Sequence, residues 1–109
     1  MTLTIEDFRF APDQIYFSSG KPSRLVIRNL GRELHRFKSQ VVARSEVREI
    51  GEEKKSVIDM AGGVMIPPGK TLELVFTLQP GIYTSRCPIR GHRGMKGTLV
   101  VEAAVQVLI

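Results

Sequence analysis

Tyr83-Thr84-Ser85-Arg86-Cys87-Pro88-Ile89-Arg90-Gly91-His92-Arg93-Gly94-Met95-Lys96-Gly97 is the stretch on which the reading of this chain turns. It sets a thiol, an imidazole and a thioether within nine residues, on a loop made pliable by Gly91 and Gly94. The flanks read as strand, Ile82 to Cys87 before the loop and Gly97 to about Val101 after it. Thiolate and thioether favour a soft, polarisable metal, whereas imidazole suits copper, zinc or iron. With a second imidazole the set describes a trigonal His-His-Cys site with a weak axial Met, the donor set that belongs to copper. The only other histidine is His35. It follows the apolar strand Leu25 to Arg28 and the turn Asn29-Leu30-Gly31, so one edge of a sandwich could bring it beside the Cys87 loop.

Outward from that loop the chain is written in short strands. Apolar and polar residues mostly alternate from Leu3 to Phe10, and Ile15 to Phe17, Leu25 to Ile27 and Leu72 to Leu78 are further apolar runs rich in β-branched and aromatic residues. Ala11-Pro12-Asp13, Ser18 to Pro22, Asn29-Leu30-Gly31 and Gln79-Pro80-Gly81 supply the turns. This spacing predicts a mainly β sandwich or barrel. Residues 39 to 62 depart from it: Val42, Val47 and Ile50 lie among Arg44, Glu46, Arg48, Glu49, Glu52 and Glu53 in a pattern that predicts a short amphipathic helix or an irregular insertion around residues 40–56.

With 109 residues the chain is expected to form one domain, residues 1–109, large enough for a single core. No apolar run approaches the roughly 18 residues of a membrane span, and no signal peptide is written in this sequence. One cysteine cannot form an internal disulfide, which leaves Cys87 as a buried bystander, a reactive thiol or a metal ligand. The formal charge of +5 favours acidic partners, and seven of the sixteen Lys and Arg residues lie in the two histidine-bearing segments: Arg32, Arg36, Lys38, Arg86, Arg90, Arg93 and Lys96, with Glu33 against them.

The sequence resembles the cupredoxins, the family of plastocyanin, azurin, amicyanin, pseudoazurin and rusticyanin, along most of its length. The first half carries Phe8, Phe10, Pro12, Ile15, Gly20, Asn29, Gly31 and His35 in the family's order. The second carries Pro67 to Thr71, Pro80-Gly81, Tyr83, Cys87, His92, Met95 and Gly97. The resemblance implies a Greek-key β-sandwich with one copper ion at one end, cycling between Cu(I) and Cu(II). In that frame His35, Cys87 and His92 form the trigonal plane, Met95 is the axial ligand, and the ring edge of His92 reaches solvent through a surface patch. It implies a one-electron carrier and not an enzyme, since both histidines are committed to one centre; a periplasmic copper carrier or sensor is the competing reading. It further implies a periplasmic or otherwise extracytoplasmic home and an acidic redox partner such as a cytochrome or oxidoreductase. A monomer is expected, with a dimer contact open through the apolar end Ala103 to Ile109. Arg36 stands where the family often has Asn, and Ser85 where an aromatic is common.

Other readings explain less. Gly69-Lys70-Thr71 suggests a phosphate loop, but Val64 occupies the position of the required first glycine and Pro67-Pro68 removes two backbone donors. A catalytic Cys87-His92 pair has no evident orienting group and leaves His35 and Met95 unused. A structural zinc site closes with a fourth strong ligand, not a thioether. Nucleic-acid binding is not expected, because the basic excess comes with no binding motif and no aromatic stacking platform.

Overall fold

The computed structural model describes residues 1–49, 62–89, 91, 92 and 94–103. Among the described residues ten strands follow one another: β1 (Thr2–Glu6), β2 (Arg9–Ala11), β3 (Gln14–Ser18), β4 (Ser23–Asn29), β5 (His35–Ser39), β6 (Glu46–Glu49), β7 (Gly63–Ile66), β8 (Thr71–Phe76), β9 (Gly81–Arg86) and β10 (Lys96–Glu102). They form two five-stranded sheets, ordered β2-β1-β4-β8-β6 and β3-β10-β9-β5-β7. Two pairings are parallel, β1 with β4 and β3 with β10; the rest are antiparallel.

The alternation in the sequence is what buries one face of each sheet. Leu25 and Ile27 on β4, Leu72, Leu74 and Phe76 on β8, and Leu99 and Val101 on β10 point into the same core as Leu3, Ile5, Phe10, Ile15 and Phe37. Burial of each large side chain contributes about 1.5–3 kcal/mol, which makes this the main source of stability. Phe10 and Phe37 meet across the sandwich with ring centroids 5.6 Å apart, and Phe17 and Phe76 do so at 5.1 Å.

Three local features differ from the sequence reading. The stretch Leu3 to Phe10 is not one strand but two, joined by the connection Asp7-Phe8 between the paired residues Glu6 and Arg9. The expected amphipathic helix is reduced to one 3₁₀ turn, Val42–Arg44, and Glu46–Glu49 is instead a strand at the sheet edge paired with β8. Charges flanking a single inward Val47 are the pattern of an edge strand as well as of a helix face; residues 50–61 lie outside the described residues. The third feature is that β5 and β7 pair with each other, His35 opposite Ile66 and Phe37 opposite Val64. Pro67 to Lys70 forms the expected turn into β8, closed by Lys70 N–H donating to Pro67 O at 3.1 Å, with Gly69 at φ 77°. Among the described residues no helix is long and apolar enough to cross a membrane.

Candidate metal centre

His35 is the first residue of β5, and the inward positions of that strand are His35, Phe37 and Ser39, all buried. On β9 the inward face runs Tyr83, Ser85 and, one step past the strand, Cys87, which is 6% exposed. The register of these neighbours, Ser39 opposite Ser85 and Lys38 opposite Arg86, carries His35 and Cys87 to the same end of the sandwich. The loop between β9 and β10 then folds back on itself: His92 N–H donates to Ile89 O at 3.0 Å, Met95 N–H to His92 O at 3.3 Å, and Cys87 N–H to Met95 O at 3.1 Å. Gly91 and Gly94, at φ 91° and 92°, allow the reversals.

The result is a convergence of three donor atoms. His35 Nδ1 lies 3.2 Å from His92 Nδ1, and Cys87 Sγ lies 3.4 Å from the same His92 nitrogen. One ligand atom from each of the three residues falls within 4.8 Å of the others, and all three residues are buried. Nitrogen and thiolate donors stand about 2.0–2.3 Å from a first-row ion such as zinc, so donors at these separations can share one ion. Arg36 N–H donates to Cys87 Sγ at 3.4 Å, a contact that suits a thiolate. Met95 is 1% exposed and shares with Cys87 and His92 the wall of a cavity of about 440 Å³, whose rim includes Arg86 and Lys96. Met65 faces Arg36 on β7, away from this convergence in the strand register.

A layer of residues outside the donors was not singled out by the sequence reading. His35 Nε2 lies 3.0 Å from Asp7 Oδ1. The Asp7 carboxylate also accepts from Arg32 N–H, at 3.0 and 2.9 Å, and from Glu33 N–H at 3.4 Å. Those contacts, the Arg32 backbone first and the His35 ring next, hold the Asp7 carboxyl below the usual carboxylate range. The 30–34 loop is tied from the other side by Asn29, whose Nδ2 donates to Glu33 O at 2.9 Å and to Ile66 O at 2.8 Å. Its Oδ1 accepts from Gly31 N–H at 2.9 Å. Asn29 and Gly31 have a signal in the sequence as a turn and in the resemblance, and Arg32 and Glu33 in the charge pattern; nothing in linear spacing points Asp7 at His35.

His92 is 5% exposed, so little of its ring reaches solvent. The Phe8 ring covers it, with centroids 5.4 Å apart at 86°, and Glu33 Oε2 stands 3.6 Å from Nε2. Phe8, Leu30 and Leu34 are exposed apolar side chains carried on the Asp7-Phe8 connection and on the segment leading into His35. Of the seven basic residues noted in the sequence, Arg90 and Arg93 lie outside the described residues.

A two-sheet Greek-key-like sandwich with a buried His-Cys-His cluster at one end defines a class, and the sequence agrees with it. The family model described as the cupredoxin-like domain matches residues 1–101, and the chain belongs to that family. Its structure is similar to a dithionite-reduced auracyanin from the photosynthetic bacterium Roseiflexus castenholzii, with a TM-score of 0.66 and 17% identity over 93% of this chain and 94% of that one. It is similar also to auracyanin B, with a TM-score of 0.64 and 20% identity over 94% of this chain and 87% of that one. At such identities the likeness carries the fold. No curated protein sequence matches the chain.

Proposed function

We propose that this chain would hold one copper ion with His35, Cys87, His92 and Met95, and carry one electron at a time between redox partners. The observation that carries the reading is the convergence of two imidazole Nδ1 atoms and one thiol sulfur in a buried pocket. Two nitrogens, one sulfur and a thioether make a copper set, because hard ions and structural zinc are poorly served by Met. The ion would supply the Cu(I)/Cu(II) couple. The chain's part is to hold the donors rigid in both states: the strand pairing of β5 with β9 fixes His35 against Cys87, and the Arg36 N–H donates to the sulfur.

Both histidines of the chain are used in this one set, leaving none for a second metal centre where a substrate could be transformed. That supports a carrier and not an enzyme. A solved relative in fold is named as a reduced form, which accords with redox work. Arg86 and Lys96 on the rim of the cavity over Cys87, His92 and Met95 support an acidic partner. The family resemblance supports an extracytoplasmic home.

The test is the visible spectrum after addition of Cu(II). A strong thiolate-to-Cu(II) charge-transfer band, blue or green, is expected and is lost in Cys87→Ser. A colourless Cu(II) complex overturns the reading.

A further inference from the structure

The connection between β1 and β2 is two residues long, and both face the histidines: Asp7 reaches His35 and Phe8 reaches His92. The Asp7 contact is the more consequential. His35 is fully buried, so no solvent competes for its outer nitrogen, and Asp7 is the partner of that nitrogen among the described residues. A carboxylate can only accept, which places a proton on Nε2 and leaves Nδ1 as the ring nitrogen that faces His92 and Cys87.

The carboxylate is itself held by a purpose-shaped loop. Arg32 N–H binds both its oxygens and Glu33 N–H one of them. Gly31 lies so close that a Cβ there would overlap the carboxylate, with Asp7 Cγ 2.9 Å from that point. Glycine at residue 31 therefore permits the loop to close on Asp7, while Asn29 pins the loop from its far side.

We propose that Asp7 is a positioning residue for His35: it locks the ring in the tautomer that presents Nδ1 to the metal, and its negative charge favours the oxidised over the reduced ion. The proposal rests on the reading of His35 as a copper ligand. Residues that hydrogen-bond a ligating histidine in this way orient the ring and raise its basicity, and their loss costs about 10–100-fold in metal affinity. Asp7 is 27% exposed at its side chain, so its charge is partly screened and the electrostatic share falls at the lower end.

Two substitutions separate orientation from charge. Asp7→Asn keeps a carbonyl acceptor and removes the charge; the coloured site should persist with its reduction potential raised, by about 59 mV for a tenfold change in the Cu(II)/Cu(I) affinity ratio. Asp7→Ala removes the acceptor as well. In the metal-free protein, ¹⁵N NMR should show His35 with Nε2–H in the wild type and in Asp7→Asn, and a loss of that preference in Asp7→Ala, accompanied by about 10–100-fold weaker copper binding. Loosening of the 30–34 loop alone would weaken binding in both variants without moving the potential of Asp7→Asn. An unchanged potential in Asp7→Asn overturns the charge role, and an unchanged tautomer in Asp7→Ala overturns the orienting role. A wild type that takes up no copper overturns the copper reading instead, while the metal-free NMR comparison still decides whether Asp7 sets the His35 tautomer. Should Asp7→Ala fail to fold, the Asp7→Asn potential alone decides.

Discussion

Phe8 meets the His92 imidazole edge-on, and it does so from a backbone φ of 73°. That left-handed region is uncommon for any residue but glycine and is an outlier for a bulky one. The strain, about 1–3 kcal/mol, is borne at the one place where an exposed aromatic ring lies between solvent and the buried His92. The ring thus joins the candidate centre to the surface by direct contact with His92.

The order of stabilities at position 8 should therefore be reversed from the usual. Phe8→Ala keeps the strained backbone and loses the ring contact; Phe8→Gly loses the ring and relieves the strain. Phe8→Gly should be the more stable of the two by about 1 kcal/mol, measured by urea denaturation. Both should slow electron exchange with a protein or small-molecule oxidant without bleaching the copper band. Exchange as fast as the wild type would mean that electrons leave by another face.

Met95→Leu should keep copper and colour while raising the reduction potential, since a weak donor that favours Cu(II) is replaced by an apolar side chain of similar volume. Cyclic voltammetry reads the shift. A potential and spectrum identical to those of the wild type would reduce Met95 to packing beside Cys87.

Ser85 offers a purely structural prediction. Its hydroxyl is buried and has no hydrogen-bond partner among the described residues, and it faces Gly97, where a Cβ would come within 2.7 Å of it. An unsatisfied buried hydroxyl costs about 1–3 kcal/mol. Ser85→Ala should raise the midpoint of thermal unfolding by about 4 °C or more. A fall would mean that the hydroxyl contributes to stability and is not an unsatisfied group.

The basic rim predicts a charge-selective exchange. Reduction and oxidation by the hexacyanoferrate couple, which is anionic, should slow steeply as salt rises, because steering over the rim is screened within about 8 Å at physiological ionic strength. Arg86→Glu with Lys96→Glu should slow it further at low salt and leave the absorption band in place. Indifference to both would assign docking to the apolar side chains Phe8, Leu30 and Leu34, which stand on the same end of the molecule as His92.

The strands whose inward residues are aliphatic, β4, β8 and β10, could be read directly from alternation, because burial and hydrophobicity coincide there. The strand that carries His35 could not. Its inward residues are His35, Phe37 and Ser39, two of them polar, so its period of two is invisible to a hydrophobic pattern. β6 was misread because its outward Glu46 and Arg48, which keep a sheet edge soluble, also fit a helix surface. All four candidate donors are recognisable by chemistry in the sequence, but the convergence of His35 with Cys87 and His92 depends on a register no spacing rule contains. Asp7 was out of reach for the same reason: its meeting with His35 is made by the fold, across 28 residues of chain.

The parallel pairing of β3 with β10 sets Ile15 beside Leu99 and Phe17 beside Val101. Among the described residues β3 has no other neighbour in its sheet. A growing chain therefore holds β3 without this partner until β10 has been made, and pairings so distant in sequence form slowly. The loop bearing Cys87 and His92 is bounded by that same strand, so its donors cannot gather before it is in place. Affinity alone would let other first-row ions compete for such a pocket, and cells resolve the competition through which metal is on hand. Under the proposed copper reading, the compartment in which β10 docks would be the one that supplies the ion.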